Sequence, residues 1–136
     1  IVILASEFTL EGSVDGTILL HDTLNSIIPT FVIGSYRFNN ASKLSYKIAN
    51  SNFTPEKIRT LFGENIDPRI YHTNNKFRKH FGDFFIDKKS VFCEKSYCDL
   101  YDKNLNPLFY DELHMTYFGK EIFGKFLLDK INSYIK

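Results

Sequence analysis

Two side chains near the end of the sequence, Asp111 and His114, are of the types that proteins combine for proton transfer. Three residues apart on a loop, the carboxylate can hydrogen-bond one imidazole nitrogen, which fixes the tautomer and leaves the other nitrogen free to accept a proton from a nucleophile. The pair therefore predicts two members of a Ser-His-Asp triad, with His114 as general base and Asp111 as its orienting carboxylate. An Asp-x-x-His pair also occurs in ordinary solvated turns, so the flanking segments matter.

The segments on either side of this pair predict a strand-to-helix junction. Before it, the apolar residues 107–110 are typical of a short strand, and behind it Thr116 is placed to cap a helix. Within that helix the apolar residues recur at helical spacing on one stripe, formed by Phe118, Ile122, Phe123, Phe126, Leu127, Ile131 and Tyr134. Functional residues often lie on such connections.

The sequence opens with a continuous apolar run, residues 1–5, which is typical of a buried parallel strand. Because no turn or cap precedes it, we expect the chain to be the latter part of one larger domain. A helix capped by Asp15 and stopped by Pro29 follows, and residues 30–34 form a second strand. This strand-helix-strand unit predicts an α/β fold with a mainly parallel sheet.

Capping residues mark two further helices in the middle of the chain. Thr54 predicts the start of a short helix, with Gly63 as its terminator, and the apolar pattern predicts a longer helix over residues 70–81. A third strand is predicted over residues 84–87. It ends in Asp87, which we expect to cap the segment that follows.

Length and composition exclude several classes of protein. A chain of 136 residues with fourteen Phe and eight Tyr is at most one domain with a sizeable core. The net charge is +1 and the Lys and Arg residues are scattered, which does not indicate a nucleic-acid partner. No apolar run approaches the roughly 18 residues of a membrane span, and no signal peptide is visible.

The two cysteines, Cys93 and Cys98, are separated by four residues. That spacing permits a disulfide across a small loop, which would stiffen the segment leading to Asp111. Two free thiols are an alternative. Half of a zinc site is another, but zinc would require two more ligands, and no histidine stands at a recognisable spacing. We therefore expect no metal.

The region that follows the cysteines resembles a known family. After Cys93, a short gap and Cys98, the run Leu108-Phe-Tyr-Asp111-Glu-Leu-His114-Met-Thr116-Tyr-Phe-Gly119 is similar to the end of the SGNH domains of bacterial acyltransferases. These domains are fused to a membrane acyltransferase type three domain. Met replaces the usual Leu after the histidine, and Thr replaces the usual Ser.

This resemblance implies a three-layer α/β/α SGNH (flavodoxin-like) fold whose first strand and helix lie outside these residues. It implies an O-acyltransferase or esterase whose partners are an acyl donor, a surface polysaccharide and a membrane acyltransferase domain in the same parent chain. It also implies a periplasmic or extracytoplasmic location, where oxidising conditions favour a disulfide between Cys93 and Cys98. The mechanism of the family needs no metal or cofactor.

The nucleophile of the resembled family stands in a Gly-Asp-Ser-His run upstream of a strand like residues 1–5. No such run occurs in this sequence, so we expect the serine outside these residues. The family often carries an Arg-Trp-like pair where this chain has Glu7 and Phe8. These two residues are therefore the candidates for substrate binding, although Glu7 reverses the charge.

Two alternatives remain open. One is a hydrolase with another layout that uses Ser35 or Ser6, both of which follow predicted strands. The other is a non-catalytic module that binds glycan or packs against a membrane partner.

Overall fold

The chain divides into two compact units in a computed structural model that describes residues 1–5, 11–39, 46–48, 50–95, 97–104 and 106–135. Unit 1 consists of Ile1–Tyr36 and Asp67–Lys89, and unit 2 of Arg37–Ile66 and Ser90–Lys136. Each unit is formed by two separate segments of the sequence.

Unit 1 contains a three-stranded parallel sheet. Its strands stand in the order β1 (Val2–Ala5), β2 (Thr30–Ile33) and β3 (Phe85–Ile86). Strand β1 pairs with β2 in a register that sets Val2 against Thr30, and β2 pairs with β3. The predicted mixed α/β fold with a parallel sheet is therefore confirmed.

Strand β1 is less buried than the central strand of the sheet. Strand β2 is buried at every position, because it is flanked by a strand on each side. Strand β1 was predicted to be buried as well, and this is wrong. It lies at the edge of the sheet, and Ile1 and Ile3 remain 47% and 41% exposed. An apolar run indicates a strand, but the neighbours that cover it are set by the tertiary fold.

Five helices and one short 3-10 segment have their bounds within the described residues, which also include a helical turn at 46–48. They are α1 (Glu11–Asn25), α2 (Pro55–Glu64), α3 (Pro68–Phe81), the 3-10 turn Gly82–Phe84, α4 (Lys88–Phe92) and α5 (Tyr117–Ile135).

Helix α1 begins before the predicted cap. Asp15 lies inside the helix, where its carboxylate accepts a hydrogen bond from Lys76 Nζ at 2.7 Å instead of capping a terminus. The helix was predicted to continue until Pro29, but it ends at Asn25, four residues earlier. The Asn25 side chain then accepts a hydrogen bond from the backbone N–H of Thr30 at 2.9 Å, which joins the end of the helix to the start of β2.

The caps of the next two helices agree with the sequence except at one glycine. Thr54 Oγ1 accepts a hydrogen bond from Lys57 N at 3.2 Å, as expected of an N-cap. Gly63 was predicted to end α2, but the helix continues to Glu64, so this prediction is wrong. Helix α3 ends at Phe81, and the C-cap residue Gly82 that follows has a φ of +54°.

The hydrophobic core of unit 1 lies between the sheet and the helices α1 and α3. Its buried side chains are Val14, Val32, Phe77, Phe81 and Phe85. Phe77 and Phe81, four residues apart on α3, present one face of that helix to the core, and their ring centroids are 5.1 Å apart. This core fixes the position of β2 and β3.

Unit 2 is built around aromatic residues and a small disulfide-linked hairpin. The ring of Phe109 packs edge-on against Phe38 and Phe92, with centroid distances of 5.7 and 4.9 Å. Strands β4 (Cys93–Glu94) and β5 (Tyr97–Cys98) form an antiparallel pair, and α2 packs against β5. A disulfide joins Cys93 to Cys98, as expected.

Helix α5 carries the predicted apolar stripe, but the stripe is only partly buried. Phe123 is buried, whereas Phe118, Ile122 and Phe126 each remain more than a third exposed. Among the residues that the structure describes, no helix combines the length and the apolar character that crossing a membrane requires.

Candidate active site

Asp111 and His114 lie together at the tip of a tight turn in unit 2. An isolated antiparallel bridge pairs Phe109 with Met115, and the backbone N–H of Tyr110 donates to the carbonyl of His114 at 2.8 Å. Residues 107–110 were predicted as a strand. They form single bridges instead, because the chain reverses direction within a few residues. The bridge and the hydrogen bond therefore hold the residues on both sides of the Asp-x-x-His segment.

The Asp111 side chain closes this turn from the inside. Its Oδ1 atom accepts hydrogen bonds from the backbone N–H groups of Leu113 at 2.8 Å and His114 at 2.9 Å. Such local bonds are a favoured use of Asp in turns. They lower the pKa of Asp111 to about 2, and a hydrogen bond from the His114 side chain adds to them. The carboxyl group is therefore ionised at neutral pH.

The imidazole of His114 is hydrogen-bonded to the same carboxylate. Its Nδ1 atom lies 2.8 Å from Oδ2 and 3.0 Å from Oδ1 of Asp111. Because an ionised carboxylate can only accept hydrogen bonds, Nδ1 carries the proton and Nε2 holds the lone pair of the neutral ring. Within the described part of the chain, no side chain hydrogen-bonds Nε2. The His114 side chain is 73% exposed and that of Asp111 is 54% exposed.

Thr116 joins this turn to helix α5. Its hydroxyl donates to the carbonyl of Pro107 at 2.5 Å and accepts a hydrogen bond from Gly119 N at 3.2 Å, so the predicted N-cap is confirmed. A β-carbon on Gly119 would lie 2.2 Å from the carbonyl oxygen of Leu108. Only glycine allows the first turn of α5 to approach the backbone so closely.

A second attachment of the turn was not predicted from the sequence. The backbone N–H of Phe38 donates to the carbonyl of Glu112 at 3.1 Å, and Arg37 lies 3.5 Å from the Glu112 carboxylate. These residues are more than seventy positions apart in the sequence. No local sequence pattern predicts a contact between residues so far apart, so this contact was not expected from the sequence.

Four further residues were candidates from the sequence, and the structure describes only one of them, Ser35. Ser6, Glu7 and Phe8 lie outside the described residues. Ser35 lies in unit 1 and is only 4% exposed. Asn74 binds both its backbone groups, accepting from Ser35 N at 3.1 Å and donating to Ser35 O at 3.0 Å.

Asp87 caps the segment that follows it, as expected. Its carboxylate accepts hydrogen bonds from Lys89 N at 3.1 Å and from Asn74 Nδ2 at 3.2 Å, and it also forms an ion pair with Arg78. Its role in unit 1 is therefore to join β3 to the helices on either side of it.

Comparison of the chain with protein-family models, with curated proteins and with solved structures gives no match. In the described ranges, no cluster of three or more His, Cys, Asp or Glu side chains could hold a metal ion. What the chain offers chemically rests on its own geometry, in which an exposed imidazole is held by an ionised carboxylate.

Proposed function

We propose that the chain is part of a serine-dependent O-acyltransferase or esterase domain of SGNH type that acts on cell-envelope polysaccharide. His114 is the general base, Asp111 is its orienting carboxylate, and the nucleophilic serine lies outside these residues. The observation that carries the proposal is the 2.8 Å contact between His114 Nδ1 and Asp111 Oδ2 in a turn that the same carboxylate closes.

In this mechanism the turn prepares His114 for proton transfer. The carboxylate holds the Nδ1 proton, and the Nε2 lone pair accepts the proton of the serine hydroxyl as its oxygen attacks the acyl carbonyl of the donor. The imidazolium that forms is stabilised by Asp111 and returns the proton to the leaving group. A sugar hydroxyl or a water molecule then attacks the acyl-serine, with His114 again accepting the proton.

Three features support the family-level part of the proposal. The run from Leu108 to Gly119 contains the Asp-x-x-His pair and, at its end, the glycine that the close approach to Leu108 requires. The parallel sheet of unit 1 is compatible with a three-layer α/β/α arrangement. The disulfide between Cys93 and Cys98 fits an oxidising, extracytoplasmic compartment, where the parent protein would meet its membrane acyltransferase domain and the polysaccharide.

A hydrolase that uses Ser35 is less well supported, because that residue is buried. A serine nucleophile must be reached by its substrate and by a base. Ser6 lies outside the described residues, so the geometry gives no support to it.

The test is the intact mass of the natural full-length protein after incubation with an aryl acetate. We expect a gain of one acetyl group, and we expect His114→Gln to slow its formation by at least about a hundredfold. Asp111→Asn is expected to slow it as well, because the amide cannot hold the Nδ1 proton as a carboxylate does. Tyr110→Phe, next to the pair, is the control and should leave the rate unchanged. Absence of any adduct on the natural protein would exclude the serine mechanism.

A further inference from the structure

Unit 2 carries a cleft that is lined by residues other than Asp111 and His114. It consists of two hollows, of about 520 Å³ and about 440 Å³, both of which include Pro55 and Arg59 in their walls. Tyr97 lines the first hollow and Tyr101 the second. These volumes are within the range of small-molecule sites, which are commonly about 300–1,000 Å³.

Arg59 is fixed at the point that the two hollows share. Its Nε atom lies 2.7 Å from Asp99 Oδ1, and its guanidinium carbon lies 5.9 Å from the ring centre of Tyr97. A guanidinium has five N–H donors, so this ion pair leaves most of them available to a ligand. Asp99 keeps its second carboxylate oxygen as an acceptor. The cleft therefore presents a planar donor and acceptor pair of fixed orientation.

The two tyrosines are held by structured backbone, although as whole residues they are 38% and 49% exposed. Tyr97 belongs to β5, next to the disulfide at Cys98. Tyr101 forms a backbone bridge with Pro107. Exposed aromatic rings on rigid backbone combine a flat apolar face with a polar hydroxyl, and they lose little entropy when a ligand binds.

The charges of the cleft limit the ligand class. Four carboxylates line it, those of Glu56, Glu94, Asp99 and Asp102, against the two cations Arg59 and Lys95. The excess of negative charge disfavours an anionic ligand such as a uronic acid or a phosphate, and the guanidinium at the shared wall disfavours a cation there. A neutral ligand with many hydroxyl groups and apolar C–H faces can form hydrogen bonds with these charged side chains and pack against the two tyrosine rings.

We propose that this cleft binds a neutral saccharide, with one sugar ring against Tyr97 in one hollow, a second against Tyr101 in the other, and hydroxyl groups bound by Arg59 and Asp99. The inference deepens the proposed function and rests on it for the role of the cleft, which is to hold the polysaccharide acceptor. The binding itself requires no acyl chemistry.

The experiment is a titration of the natural protein with cellotriose and with triacetylchitotriose, both neutral, followed by isothermal calorimetry and by the amide NMR signals of residues 97–102. We expect saturable binding of at least one probe. Tyr97→Ala and Tyr101→Ala should each weaken it by about tenfold through loss of ring stacking, and Arg59→Lys should weaken it through loss of the planar donors. Tyr46→Ala, which removes an exposed tyrosine that does not line the cleft, is the matched control.

Several results would contradict saccharide binding by the cleft. Failure of both neutral probes to bind, or binding that Tyr97→Ala and Tyr101→Ala leave unchanged, overturns the inference. Preference for trigalacturonate does so too, and preference for tetralysine would identify a docking site for a basic peptide instead. The same experiment distinguishes this inference from the catalytic proposal. A His114→Gln protein that binds saccharide normally but forms no acyl adduct shows that saccharide binding and acyl transfer can be lost independently.

Discussion

The backbone of Gly119 lies so close to Leu108 that a β-carbon on the glycine would stand 2.2 Å from the leucine carbonyl oxygen. This contact joins the first turn of α5 to the segment that leads into the Asp111 turn. Neither residue can move away freely, because Thr116 N donates to the same Leu108 carbonyl at 3.0 Å.

We expect Gly119→Ala to lower the free energy of unfolding by at least about 2 kcal/mol, because the added methyl group meets backbone and not a flexible side chain. The measurement is urea denaturation followed by circular dichroism. Gly124→Ala on the same helix is the control, since no described atom lies within 4 Å of its added β-carbon. That variant should stabilise the protein by up to about 1 kcal/mol through helix propensity. Equal effects of the two variants would contradict the close contact.

The acid titration of Asp111 should have its midpoint near pH 2, observed through its side-chain carboxyl carbon by NMR. His114→Ala should raise this midpoint only in part, because the backbone N–H groups of Leu113 and of residue 114 still donate to the carboxylate. Since the folded pKa lies below the ordinary 3.8, the contribution of the carboxylate to stability is complete above that value and is lost as the pH falls to 2. A midpoint near 3.8 in the unmodified protein would refute the capped turn.

Replacement of both Cys93 and Cys98 by alanine should lower the free energy of unfolding by about 2 kcal/mol, the loss expected for a loop of this length. Cys98 is fully buried in the folded protein, so reductant should act slowly until the protein unfolds. The measurement compares denaturation curves of the oxidised and double-variant proteins. Identical curves for the oxidised protein and the double variant would rule out a stabilising disulfide.

Asn74→Ala should cost about 2 kcal/mol, because it removes the partner of two buried backbone groups of Ser35. Asn75→Ala next to it is the matched control, since that side chain is exposed and bonds only Arg78 among the described residues. Thermal unfolding of the two variants is the comparison. Should Asn74→Ala unfold at the temperature of the control, the buried amide would have no part in stability.

Features that depend on neighbours in the sequence were predicted well. The Thr54 cap, the helix before Gly82 and the cap at Thr116 follow from residue type and short spacing. The hydrogen bond between Asp111 and His114 belongs to the same group, because a carboxylate three residues before an imidazole reaches it within a single turn. The spacing of the two cysteines only permitted the disulfide, which was expected mainly from the family resemblance.

Features that depend on distant residues could not be predicted. Asn74 meets Ser35 across 39 positions, and nothing in either local sequence indicates the pair. The exposure of Ile3 on β1 could not be predicted for the same reason, since an apolar strand has the same sequence pattern at the edge and in the centre of a sheet. The cleft around Arg59 was missed because its walls come from α2 and from the hairpin and loop that follow it much later in the chain.

The hydroxyl of Thr116, bonded at once to Pro107 and to Gly119, links the residues before the turn to the start of α5. Amide hydrogen exchange at Gly119, whose N–H donates to this hydroxyl, should therefore be faster in a Thr116→Val variant than in the natural protein. The imidazole of His114 is exposed to solvent, yet its backbone is held by two hydrogen bonds, one from its N–H to Asp111 and one from Tyr110 N to its carbonyl. In the proposed mechanism, a base held in this way meets its substrate without first having to be ordered.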